Sequence, residues 1–225
     1  MHNDIKIWYD GLANAWGGKY VSGNKHFIRR IRNVQLLADP LPEDADVLDI
    51  GCASGEIAVS MHARFKCRTI GIDISEEMVN SCRKKYQYKR LYFGIGDILN
   101  LGFRNGQFDL VSSLSVIEWV EDYAKAIAEV SRVLKPNGQW IVSMPNWASP
   151  FRRIELIRSL FSKKSYLKYQ KNRVSISEFK KIAGSCGLRT SKTIFHVMPA
   201  YGSILPGNFG PLFGMICVMS MTKIS

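Results

Sequence analysis

The stretch VLDIGCASGEIAVSM, residues 47–61, narrows the choice of fold more than any other. An apolar run ends in a carboxylate, Asp49, and passes through the small residues Gly51, Ala53, Ser54 and Gly55. It resumes as an apolar pattern of helical period, so a strand, an open turn and a helix follow without a linker. The same alternation recurs downstream. RTIGIDI, LYFGIGD, FDLVSSLS and QWIVSMPN read as four more strands. SEEMVNSCRKKYQ reads as a helix that Ser75 can cap, with acids in its first turn and bases in its last. A further helix is expected between FDLVSSLS and Leu134, and KPNG as a turn before the fifth strand. Strands alternating with helices require a mostly parallel sheet covered on both faces. Upstream, Phe27, Ile28, Ile31, Val34 and Leu37 predict a helix over Asn24–Leu37. LRTSKTIFHVM and GMICVMSMTKI predict a late strand pair joined by a Gly- and Pro-rich loop, Pro199–Gly214.

The 225 residues suit one α/β domain, and a hydrophobic fraction of 46% is enough for a core. No uninterrupted apolar run reaches the roughly 18–20 residues of a membrane span. The first residues lack a basic region followed by an apolar one, so they do not read as a signal peptide. The five cysteines, Cys52, Cys67, Cys82, Cys186 and Cys217, are odd in number and form no C-x-x-C. They read as reduced thiols, and the expected location is the cytoplasm. The net charge of +12 is uneven: residues 151–192 hold twelve Lys or Arg against Glu155 and Glu178, leaving +10 there.

The turn after the first strand lies where an open α/β sheet binds ligands. It lacks the Gly-Lys-Ser/Thr ending of a phosphate-binding loop. A dinucleotide fingerprint counted from Gly51 fails at Ala53 and Glu56. What remains is D-x-G-x-A-x-G, with Asp73 at the end of the second strand, eighteen residues past Gly55. A carboxylate there can accept from both hydroxyls of a ribose. Asp97, followed by apolar Ile98, stands at the end of the third strand, where an adenine edge and face could be read. The pattern asks for a nucleoside with an amino-acid tail and no phosphate.

That set resembles the class I S-adenosylmethionine-dependent methyltransferases, through VLDIGCASGEIA, TIGIDISEEMV, FGIGDILNL, FDLVSSLSVIEWVED and VSRVLKPNGQWIVSMPN, which run from Ala45 to about Asn146. The resemblance is to the small-molecule branch, that of the ubiquinone and menaquinone methyltransferases. It implies a Rossmann-like seven-stranded sheet, order 3-2-1-4-5-7-6, with the last strand antiparallel and a helical cap insert between strands 5 and 6. It implies S-adenosylmethionine as cofactor. Asp49, Gly51, Cys52, Ala53 and Gly55 would face its methionine part, and Asp73 its ribose. Ile74 and Met78 would flank the adenine, Asp97 and Ile98 would reach its amino group and ring, and Leu114 and Tyr9 would complete the site. Two residues depart from the pattern. Ala53 replaces a usual glycine, and Trp119 stands where relatives often carry histidine.

Within one methyltransferase domain, residues 1–44 form an expected N-terminal helical lid and 45–147 the cofactor-binding core. Residues 148–192 form a basic cap insert and 193–225 the final strand pair with a substrate-side loop. In the lid, Trp8, Tyr9, Trp16 and Tyr20 either cover the cofactor or form a satellite apolar cluster. In the cap, Phe151, Ile154, Ile157, Leu160 and Phe161 share one helical face with arginines beside them. That face either packs on the domain or lies on an anionic membrane. Methyl transfer is led by alignment and exclusion of water, and Glu118, Tyr20 and His196 are the candidate bases. Tyr166, Tyr169, Tyr201, Phe209 and Phe213 would give the mouth an aromatic lining suited to a mid-sized apolar or amphiphilic acceptor. An RNA or protein acceptor tracked by the basic segment, and a non-catalytic adenosyl-binding module, are the competing readings. Nucleic acid is disfavoured by the lack of adenine- or cytosine-methylation motifs, and no metal-ligand cluster is seen.

Overall fold

The computed structural model describes residues 25–160, 167, 170–196 and 209–224. Tyr9, Tyr20, Trp8, Trp16, Phe161, Tyr166, Tyr169 and Tyr201 lie outside the described residues. Helix α1 spans Lys25–Leu37 and leads into β1, Asp46–Ile50. Then follow α2 (Glu56–Phe65), β2 (Arg68–Asp73), α3 (Glu76–Lys85), β3 (Leu91–Ile95) and β4 (Phe108–Leu114). A 3₁₀ turn, Ile117–Trp119, precedes α4 (Tyr123–Val133) and β5 (Leu134–Pro145). The chain continues through α5 (Pro150–Leu160), α6 (Ile176–Ser185), β6 (Leu188–His196), α7 (Gly210–Phe213) and β7 (Ile216–Lys223).

The strands form one sheet in the order β3-β2-β1-β4-β5-β7-β6, the order the family resemblance implies. β7 runs antiparallel to both its neighbours and the other pairings among β1–β5 are parallel. Successive residues of the inner strands point to opposite faces, which explains their nearly unbroken apolar character. Val47, Leu110, Ile141 and Val218 face a layer holding α1 and α2, through Val34, Leu37, Ile57 and Met61. Leu48, Val111, Trp140, Val142 and Met219 face the layer of α4 and α6, through Ile127, Val130 and Phe179.

Two expectations change. KPNG does not precede β5; it bulges out within it. Between paired residues Phe108↔Leu134 and Leu110↔Gln139, β5 uses more residues than β4. Asn137 there takes a left-handed φ of 63°. Lys135 anchors the bulge to β4, its Nζ 2.7 Å from Asp109 Oδ2. The helix expected directly after β4 starts later, at Tyr123, where the Asp122 carboxylate accepts from the Lys125 amide. Within the insert expected between strands 5 and 6, a helix packed on the sheet covers residues 176–185. They form the crossover helix α6, whose buried Phe179 packs on Trp140 with ring centroids 5.6 Å apart. Phe179→Ala should therefore destabilise the protein by about 3–5 kcal/mol, read as a lower denaturant midpoint.

Candidate active site

The turn between β1 and α2 owes its shape to three left-handed residues at alternate positions, Gly51 (φ 68°), Ala53 (φ 46°) and Gly55 (φ 84°). This conformation, more than ligand access alone, is the physical content of the D-x-G-x-A-x-G spacing. An L-residue in it costs roughly 1–2 kcal/mol, so Ala53 carries strain that glycine would not. A Cβ at Gly51 would stand 2.5 Å from Val116 Cγ2, so glycine is also what lets the segment after β4 close over the turn.

The loop is stitched to β2. The Cys52 amide donates to Ile72 O at 2.9 Å, and the Ala53 amide to Asp73 Oδ2 at 2.9 Å. Asp73 Oδ1 accepts from the Ser75 amide at 3.0 Å, while the Ser75 hydroxyl caps α3 at the Met78 amide. Asp73 is thus aimed by backbone on both sides and is not itself the helix cap. Cys82 Sγ donates to Ala53 O at 3.1 Å, closing the far wall.

On β1, Asp49 is buried beside its register partner Ser112, whose hydroxyl donates to Asp49 Oδ1 at 2.5 Å. The second oxygen, Oδ2, is buried with no partner, as is Ser54 Oγ in the turn. Burial pushes the Asp49 carboxyl up to about 7, and the neighbouring Asp73 charge adds to the rise. The Ser112 hydroxyl and the Arg30 guanidinium oppose it. An unsatisfied buried polar group costs about 1–3 kcal/mol. Two of them at the carboxyl end of β1 suit a ligand that brings a cationic donor.

Glu118, in the 3₁₀ turn after β4, is only 6% exposed and its Oε2 is likewise buried without a partner. Burial raises its carboxyl to about 7, against the fields of Arg30 and Arg152. The 3₁₀ turn is held from the cap side. The Lys171 amide donates to Glu118 O at 3.0 Å, and Asn172 Nδ2 to Ile117 O and Val120 O, each at 2.6 Å. Next to this clamp, both amide atoms of Gln170 are buried and unpartnered.

Arg30 is the residue that sequence reading missed. Its Nη2 donates to Leu114 O at 2.7 Å, and its charge acts on both Asp49 and Glu118. The signal lay in α1: Arg30 and Asn33 continue the buried Val34–Leu37 stripe with polar residues toward the helix start. Arg152, Trp147 and Gln170 were also unmarked. Arg152, 3% exposed, pairs with Glu155 at 2.6 Å and sits over the Trp147 ring at 5.1 Å.

The other expected residues are spread more widely. Met78 and Ile98 are buried, Ile98 within the main core, and Ile74 is half-buried after β2. Asp97 lies beyond β3, which ends at Ile95, and its Oδ1 accepts from the Leu99 amide at 2.9 Å. Trp119 Nε1 donates to Ser115 O, so it is an oriented wall rather than a purely apolar one. His196 ends β6, three strands from β4 in the sheet order, about 14 Å at ordinary strand spacing. Its Nε2 is 2.9 Å from Asn33 Oδ1, and burial, with Arg29, pushes its pKa down to about 4. It stands at the carboxyl end of the sheet, as does the β1–α2 turn, but three strands from β4, and its lowered pKa makes it a poor proton acceptor.

Two outcomes test this geometry. Asp49 and Glu118 titrate near pH 4 when unfolded but near 7 when folded, so their neutral forms favour folding at low pH and that contribution is lost as pH rises through about 7. Asp49→Asn should raise the thermal midpoint of the ligand-free protein at alkaline pH by at least about 2–4 °C, or ~1 kcal/mol. At pH near 4 the gain should vanish. Ala53→Gly should stabilise by up to about 1 kcal/mol, strain relief exceeding glycine's cost in the unfolded chain; a destabilised variant would show that the turn does not strain Ala53.

Residues 48–142 match the methyltransferase domain family. The norajmaline N-methyltransferase of Rauvolfia serpentina is 30% identical over 140 residues, covering 60% of this chain and 48% of its own. The demethylmenaquinone methyltransferase of Leptospira interrogans is 33% identical over 147 residues, covering 62% and 56%. The chain thus spans about half the length of these curated relatives. A SAM-dependent methyltransferase of Thermotoga maritima has the same fold, with TM-score 0.73, 20% identity, and 97% of this chain and 99% of that one covered. Sheet order, the β1–α2 turn and these matches agree: residues 48–142 carry a methyltransferase domain, in a fold shared with S-adenosylmethionine-dependent methyltransferases, and S-adenosylmethionine is the cofactor that match supports.

Proposed function

We propose that this chain methylates a mid-sized apolar or amphiphilic small molecule, with Glu118 taking the acceptor's proton. The observation that carries the reading is the buried, unpartnered Glu118 Oε2 at the carboxyl end of β4, on the strand next to Asp49. A carboxylate so enclosed is open to a small or slender group, not to a broad macromolecular surface.

The residues fit the cofactor. Asp49 Oδ2 would accept from its ammonium and Asp73 would hold the ribose hydroxyls, while the Gly51–Gly55 turn offers close backbone approach. When bound, S-adenosylmethionine supplies a methyl group on a positive sulfonium, a leaving group that needs no acid. The protein's part is alignment, contributing roughly 7–11 kcal/mol to lowering the barrier, and a dry setting. The Glu118 carboxylate would take the proton that the acceptor's oxygen or nitrogen gives up on receiving the methyl group. A base of pKa about 7 is half ionised at neutral pH, and such help contributes about 10²–10⁴-fold.

Support for a macromolecular acceptor is weaker than the charge count suggested. Lys171 lies 3.6 Å from Glu121 and Lys192 2.8 Å from Asp39, and Arg152 is buried against Glu155. Other bases of the segment, Lys180, Lys181 and Arg189, are spread over α6 and β6.

The test follows labelled methyl from S-adenosylmethionine into whole cell extract, with products partitioned between organic solvent, water and macromolecule. Label should enter the organic phase and disappear with Asp73→Ala. With the product identified, Glu118→Gln should cut kcat by about 10²-fold or more and abolish the rise in rate through pH 7. Label in macromolecule, or no label in any fraction, overturns the reading.

A further inference from the structure

Helix α5 is built inside out. A surface helix ordinarily turns its apolar stripe to the core. Here Arg152 and Ser159 are buried, and Glu155 and Leu156 are half-buried. Phe151 (46% exposed), Ile154 (53%) and Ile157 (58%) point to solvent instead, with Arg153 and Arg158 exposed beside them. The expected packing of this apolar face on the domain is therefore corrected. The Arg152 guanidinium lies between Glu155, three residues on in the same helix, and the ring of Trp147 just before it, which keeps this charge on the helix's buried side.

The apolar row continues on α7. Phe213 bridges Phe151 and Phe209, with ring centroids 6.3 and 6.4 Å away, and Phe209 and Leu212 are both largely exposed. This second piece is also anchored. Asn146 Nδ2 donates to Pro211 O and Gly214 O, and the Ser149 hydroxyl to Phe213 O. Five of the eleven large exposed apolar side chains among the described residues thus sit on two adjoining helices. Both helices adjoin the carboxyl end of β5, at the end of the sheet where the cofactor turn lies.

We propose that this ridge seats the protein on the surface of an anionic lipid bilayer. An apolar row enters the boundary between headgroups and acyl chains while flanking arginines meet anionic headgroups, which is the arrangement interfacial helices use. Among the described residues of α5 and α7 the one acid is Glu155, which is turned to Arg152. The proposal is independent of the acceptor's identity.

The test is flotation of the full chain with vesicles of phosphatidylcholine alone or doped with phosphatidylglycerol, at low and high salt. The protein should float with the doped vesicles only, and less at high salt. Arg153→Gln with Arg158→Gln should weaken binding about 25-fold. Ile154→Ser with Ile157→Ser should weaken it by about tenfold or more, even at low salt. Both pairs are exposed, so their thermal midpoints should match wild type, which separates lost binding from lost folding. Failure of the folded wild type to float, equal binding to undoped vesicles, or indifference to both variants would overturn the proposal. So would self-association in sedimentation that is lost with the isoleucine pair and unaccompanied by flotation, since the ridge would then join two copies of the chain.

Discussion

The Asp73 carboxylate, gripped by the amides of Ala53 and Ser75, ties the β1–α2 turn to β2 and to the start of α3. Around that grip the turn adopts its three left-handed residues, and the segment after β4 can close on Gly51. The crevice is thus defined by backbone groups reading a side chain across two strands. This is a stiffer arrangement than side chains meeting each other, because the donors belong to strand and helix ends that the sheet already fixes.

The price of the site is visible in polar atoms left without partners. Asp49 Oδ2, Ser54 Oγ, Glu118 Oε2 and the Gln170 amide are all buried and unsatisfied. Elsewhere such groups are stabilised with care: Gln139 donates to Leu37 O, Asp39 and Ser220, and Trp140 to Ser113. Glu56 Oε2 and His196 Nδ1 are also buried without a partner, so orphaned atoms are not confined to the crevice. Those of Asp49 and Ser54, however, lie together at the carboxyl end of β1, where a ligand can satisfy them. The crossing fields matter too. Arg30 reaches both orphaned carboxylates, so a charge brought to one is felt by the other.

Much of this was legible in the chain. Apolar runs cut by Gly, Pro and capping residues located every described strand and most helices, because buried parallel strands leave little room for other composition. Ser75 announced its helix, and Asp49 and Asp73 stood at strand ends where a ligand crevice must open. The bulge in β5 was hidden, since KPNG has the chemistry of a turn and only pairing with β4 shows that the ladder resumes on both sides. The docking of α6 was not legible either, since only the assembled sheet brings Trp140 under Phe179.

The sequence by itself determined the α/β alternation, the place of the cofactor turn and the carboxylates that serve it. These follow from local periodicity and from conformations that few residues tolerate. The tertiary structure alone decided which charges are buried and which apolar groups are not. Arg30 comes within electrostatic reach of Glu118 through elements far apart in the chain, and His196 falls at the sheet edge because β7 inserts between β5 and β6. The same holds for α5, whose pattern specifies an apolar face but not its direction. In the assembled fold Arg152 lies on the buried side, over the Trp147 ring and paired with Glu155 of its own helix, and the apolar row is left on the other side.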